Sequence, residues 1–236
     1  MSKIVAIAKK ELKTYFKSPI AYIMLIVPIG LFNLIFYMII EQNREVSLRE
    51  VFRVMEFMFI FLIPILTMGL LAEEKSTGTM EFLMTAPLSN TTIVLGKYLG
   101  ILIFFSILIS LTLVYYGIAE YFGSPDRLTT LSGYVGIWLE GAFFIAVGLM
   151  TSSWTRNQIV AAIAAYVILF GLFFSTALTQ YFSGTSKLLI EQLGTQGHLE
   201  HFAVGIITVA DVTYYLSGIL LCLILTRLSI ENRLWQ

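Results

Sequence analysis

Most of this chain is apolar, so its few clusters of polar and charged residues are where chemistry can be done. The densest is EEKSTGTMEFLMTAPLS, from Glu73 to Ser89: an acidic pair, a lysine, a glycine and a short amphipathic stretch ended by Ala86-Pro87. Ser76 and Thr77 are candidate N-caps, and Glu81 falls in or near the first turn, where a negative charge suits the helix dipole. Met80, Leu83 and Met84 share one side at i, i+3 and i+4. The spacing predicts a helix of about two to three turns, roughly 77 to 85, too short to be stable alone in water. Its apolar side must pack on a membrane surface or on another protein.

Other polar residues stand more singly. Glu140 lies inside an apolar run, where a charge costs on the order of 3 kcal/mol and needs a partner or a proton. It reads either as a polar lining or proton-sensitive switch of a substrate path, or as a protonated acid bonded to a neighbouring helix. Asp211, with Tyr214 and Tyr215, sits at the mouth of the last run and reads as an outer gate or as a carboxylate at a helix N-terminus. His198-Leu-Glu-His201 offers two ligands at helical spacing, too few for a closed metal site, so no metal is expected. Ala161, Ala165, Gly171 and Ser175 read as small residues at four-residue spacing, which permits close helix approach within one chain or between two. The single cysteine, Cys222, excludes an intrachain disulfide.

The elements that must position these residues follow from composition. The chain of 236 residues is 58% hydrophobic and 13% charged, with a mean hydropathy of +0.85; a soluble domain carries roughly a quarter charged residues. Six runs approach the roughly twenty apolar residues that span a bilayer as a helix. They cover about 20–40, 52–72, 98–119, 133–151, 159–182 and 212–228. Period-2 alternation is absent, which excludes a lipid-facing barrel. The expected fold is an all-α membrane protein in a single domain, 1–236, with six transmembrane helices. An amphipathic interfacial helix at 1–18 precedes them, a short helix lies in the loop at 73–90, and a Gly-broken, partly re-entrant segment covers 183–211.

Orientation follows from the basic residues. With the N-terminus in the cytoplasm, the inner segments hold ten Lys and Arg and the outer segments five. Both termini and the 73–90 loop are therefore expected inside. In KIVAIAKKELKTYFK, Ile4, Ala8, Leu12, Tyr15 and Phe16 fall on one face and Lys3, Lys10, Lys13 and Lys17 on another, which predicts a helix lying on anionic inner-leaflet lipid. A secretory signal is disfavoured, because no small-residue cleavage site follows.

The 73–89 string, continued by Ile93-Val94-Leu95-Gly96-Lys97, resembles the cytoplasmic loop of the ABC-2 type transporter permeases. Glu74 and Lys75, Gly78, Thr79, Met80 and Glu81, Pro87 and Ser89, and Gly96 and Lys97 fill that family's pattern. SGYVGIWLEGAFFIAVGLMTSSWTRNQIVA and HFAVGIITVADVTYYLS are further similar to the compact six-span permeases of gliding-motility systems.

The resemblance implies a permease subunit in a bacterial inner membrane, working as an exporter. In this family two permease chains, alike or different, pair, and each docks an ATPase subunit. The docking helix would use Glu73, Glu74, Lys75, Gly78, Thr79, Met80, Glu81, Leu83, Met84 and Pro87. The chain carries no G-x-x-x-x-G-K-[ST] loop, so it is read as a non-enzyme that binds no cofactor itself, with ATP and Mg held by the partner. Membrane lipid, and an accessory protein on the outer face where force rather than cargo is delivered, complete the expected partners; nucleic acid is not among them. Two rivals stand against this: an intramembrane enzyme, for which no H-E-x-x-H or G-x-S-x-G is present, and an ion-driven carrier or channel built on Glu140.

Overall fold

The computed structural model describes residues 3–43, 48–81, 88–123 and 125–232. The helices are α1 (Lys3–Lys17), α2 (Pro19–Asn43), α3 (Arg49–Thr67), α4 (Gly69–Ser76), α5 (Asn90–Thr112), α6 (Val114–Phe122), α7 (Arg127–Trp154), α8 (Gln158–Leu178), α9 (Thr185–Leu193), α10 (Thr195–Ala203) and α11 (Val209–Asn232). No strand occurs among the described residues. Six helical stretches are long and apolar enough to cross a membrane: Ala21–Met38, Arg49–Ser76, Asn90–Tyr121, Arg127–Trp154, Gln158–Tyr181 and Val209–Glu231. The chain is an all-α, multi-pass membrane protein.

Side-chain caps set where several spans begin. The third starts at Asn90 rather than near Tyr98, because Ser89 caps it: its hydroxyl accepts the Thr92 amide at 3.2 Å. Asn157 caps α8 by accepting the Ile159 amide at 2.9 Å. Asp126 caps α7, accepting the Thr129 hydroxyl at 2.6 Å and the Leu128 amide at 3.1 Å. The Thr129 hydroxyl first, then the Leu128 amide, hold the Asp126 carboxyl below its usual range.

Helix α7 is the central post. It packs against α3, α11, α10, α8 and α5, and from Thr130 to Ser153 it is buried almost throughout. Glycines make this possible. A Cβ at Gly141 would lie 2.1 Å from Cζ of Phe105, and one at Gly148 would lie 1.9 Å from Oγ1 of Thr67. Only a residue without a side chain lets α5 and α3 come that close. Tyr115 packs on Phe36 and donates its hydroxyl to the Ile29 carbonyl at 3.3 Å.

Helix α1 also differs from expectation. It is helical as predicted, but it lies along α5 rather than on lipid alone. Gly96 opens the groove: a Cβ there would stand 2.6 Å from Cβ of Ile7. The most buried residues of α1 are Ile7, Ala8 and Glu11, so one acid faces protein.

Candidate functional site

The charged residues of the 73–97 stretch converge at one end of the bundle. Helix α3 breaks at Met68, and the cause is a side chain from α7. Ser152 Oγ accepts the amides of Leu71 and Ala72, each at 3.0 Å, and donates to the Met68 carbonyl at 2.8 Å. A hydroxyl inserted in the helical ladder bends it. Beyond the break, α4 carries Glu73, Glu74 and Lys75.

These three residues point different ways. Lys75 is buried, and its Nζ donates to the Ser153 carbonyl at the C-terminal end of α7, where a helix leaves orphan acceptors and favours a cation. The same carbonyl accepts the Ser229 hydroxyl of α11 at 2.9 Å. Glu74 turns inward to Lys97 of α5, 2.8 Å away, while Lys97 also bonds Glu11 of α1 at 3.1 Å. Lys97 is 1% exposed. One buried cation thus ties α1, α4 and α5. Nearby, the Tyr15 hydroxyl donates to the Leu66 carbonyl at 2.7 Å, just before the break. Burial first, and the Glu11 and Glu73 carboxylates second, push the Tyr15 phenol far above its usual range, so it remains a donor.

The tip beyond α4 corrects the expected capping. Ser76 and Thr77 do not open the next helix. Their hydroxyls donate back to the Glu73 carbonyl, at 2.8 and 2.9 Å, and so close α4. The turn is made at Gly78, whose φ of +74° is a left-handed conformation open to glycine at no steric cost. A new helix begins at 79–81. Glu73, Thr79 and Glu81 are exposed, whereas Met80 is 7% exposed and packs into the core. Met80 is therefore not part of an open apolar face, and Glu74 and Lys75 are not surface charges, as the sequence reading had them. Leu83, Met84 and Pro87 lie outside the described residues.

The family model for ABC-2 family transporter proteins matches residues 5–203. The chain belongs to that family. It is a permease subunit of an ABC-type transporter, a membrane transport component. A relative in Bacillus subtilis (strain 168), "Uncharacterized membrane protein YdbK", is 24% identical over 173 residues, covering 61% of this chain and 68% of its own length.

At the opposite end of the permease, α10 packs on α7 and α8. Of the non-helical backbone there, Gly194 is buried between α9 and α10, whereas residues 182–184 and 204–207 are exposed. Asp211 is held by four contacts. It accepts from Thr208 Oγ1 at 2.5 Å, pairs with Nδ1 of His198 at 2.6 Å and of His201 at 3.1 Å, and its amide donates to Thr208 Oγ1 at 3.1 Å. Thr208 thus caps α11 through the Asp211 amide, and the Asp211 carboxylate also clamps α10. Tyr214 stacks on His198 with ring centroids 4.0 Å apart, and Tyr215 is fully buried. These residues fasten the 183–211 segment to the last span. Arg49 and Arg53 of α3 add ion pairs to Glu200.

The small residues of α8 are largely used inside the permease. Ala161, Ala165 and Ser175 are buried within the chain, which agrees with close approach inside one chain, the first of their two readings, rather than with a surface for a second chain. Gly171, six residues past Ala165 and off the four-residue repeat, is exposed.

Four residues that matter here were not singled out from sequence. Ser152 and Ser153 had a signal in the Thr151-Ser152-Ser153 triplet ending an apolar run; Glu11 had one as an acid on the apolar face of a basic helix. Glu56 of α3 is the fourth: it is 3% exposed and faces Glu140 of α7, which is fully buried. Its signal was an acid at the start of the second run.

Proposed function

We propose that this permease is the membrane half of an ATP-driven exporter and that a separate ATPase subunit pushes on the tip formed by residues 73–81. The observation that carries this reading is the two-sided character of α4. Its exposed side offers Glu73, with Thr79 and Glu81 just beyond, while its buried side is locked by Lys75 to α7 and by Glu74 and Lys97 to α1 and α5. A load applied at the tip reaches three helices at once, and the break at Met68 gives a pivot.

The basic-residue count supports a cytoplasmic tip and cytoplasmic termini in a bacterial inner membrane. ATP and Mg belong to the partner subunit. ATP binding there shifts the balance between two permease arrangements to the extent that the partner prefers one of them. A second permease chain, like or unlike, completes the path in this reading; the exposed apolar residues Val167 and Phe174 beside Gly171 on α8 suit such a contact or lipid. The motifs in the fourth and fifth spans favour the six-span permeases of gliding-motility systems.

Affinity purification of the tagged chain from its own cells tests the reading, with the co-eluting partner identified by ATPase activity. An ATPase subunit is expected to co-elute. Because Glu73 and Glu81 are exposed, Glu73→Lys with Glu81→Lys is expected to slow its association about tenfold at low salt and less at high salt. No ATPase in the eluate, or unchanged association of the charge-reversed chain, sinks the assignment.

A further inference from the structure

Glu56 and Glu140 face each other where α3, α7 and α10 meet. Neither Glu140 oxygen accepts a hydrogen bond of ordinary length among the described residues, and the Glu56 carboxyl and the Thr195 hydroxyl are its polar neighbours. The Thr195 hydroxyl, at the start of α10, donates to Glu56 at 3.3 Å. Two carboxylates are acceptors only, so this contact is missing a donor. Leaving both ionised in a dry interior costs several kcal/mol.

Among the described residues no cation bonds to the pair. Arg53, on the same face of α3, is near enough for its charge to act on Glu56 but makes its bonds to Glu50 and Glu200. Asp211 is held by His198 and His201. Tyr214 and Tyr215 of α11 face the pair, but their hydroxyls donate to the Leu193 and Thr195 carbonyls at 2.7 and 3.5 Å. Tyr98 of α5 donates to the Ala142 carbonyl at 3.2 Å, and α8 carries no charged residue. A proton is the donor that fits. Bound to either carboxyl, it converts two facing acceptors into one O–H···O bond and removes a charge.

We propose that Glu56 and Glu140 form a buried proton-binding site and that its occupied state keeps α10 docked through Thr195. Losing the proton sets two like charges face to face between α3 and α7, beneath the helix that covers them. The site is independent of ATPase docking, so it stands or falls separately from the exporter reading.

Infrared spectroscopy of the full chain in lipid nanodiscs tests it. At neutral pH the wild type is expected to show the carbonyl band of a buried protonated carboxyl, and Glu56→Gln with Glu140→Gln is expected to abolish it. Amide exchange of residues 195–203, corrected for intrinsic rate, is expected to rise about tenfold per pH unit once the proton is lost, and to lose that dependence in the double variant. Should the double variant fail to fold, Glu56→Gln alone carries the exchange test, since it removes the facing charge. Absence of the band in wild type overturns the proposal without any variant. So do its persistence in the double variant, exchange that keeps the same pH dependence when Glu56 is changed, and bleaching of the band by sodium at fixed pH, which would mean a metal-ion site.

Discussion

Lys97→Met is expected to destabilise the folded permease by about 3–5 kcal/mol, the cost of removing one partner from a buried ion pair. The Lys97 side chain is 2% exposed, and its partners Glu11 and Glu74 are 12% and 15% exposed. Without the ammonium, two carboxylates from α1 and α4 face one another with little water to screen them. One Glu74 oxygen already lacks a partner among the described residues, so the site has no spare donor. Thermal unfolding in detergent reads the loss. Adding Glu11→Gln and Glu74→Gln is expected to restore most of it, because the repulsion goes with the charges. A midpoint unchanged by Lys97→Met would mean that water reaches the triad and that it ties nothing together.

An effect of comparable size is expected from Ser152→Ala. That hydroxyl serves two amides and one carbonyl at the α3–α4 break, and each group left buried and unpaired costs about 1–3 kcal/mol. Exchange at the Leu71 and Ala72 amides should rise and the unfolding midpoint should fall. Ser152→Thr, which keeps the hydroxyl, should do less harm. If Ser152→Ala left both measurements unchanged, the ladder would have closed on its own and the serine would not be what bends it.

The membrane architecture was legible because a bilayer imposes a simple rule on composition. Six apolar runs and their basic flanks could be counted, and the structure contains six matching helices. The span ends were less legible. Lys97 and Glu74 look like residues that should end a hydrophobic run, yet each is neutralised by the other inside the fold. The tip shows the same limit. Glu73, Glu74 and Lys75 are adjacent in sequence and invite a single surface reading, whereas helical rotation sends them to solvent, to α5 and to α7. Ser76 and Thr77 carry the chemistry of an N-cap, but a hydroxyl bonds a carbonyl behind it as readily as an amide ahead of it. Contacts across 80 residues or more, such as Ser152 with Leu71 and Glu11 with Lys97, leave no local periodicity to read. The Glu56–Glu140 contact was half visible: an acid in an apolar run demands a partner, but not which one.

The central claim is that the tip at 73–81 faces the cytoplasm and is covered there by an ATPase subunit. Thr79 is exposed, and Cys222, the one native thiol, is buried. Thiol labelling of Thr79→Cys with a membrane-impermeant maleimide therefore reports directly on that surface. The account predicts rapid labelling in inverted membrane vesicles, protection when the ATPase subunit is bound, and no labelling in intact cells. Labelling from the outside of intact cells, or the same rate in inverted vesicles with the ATPase subunit saturating, would contradict it.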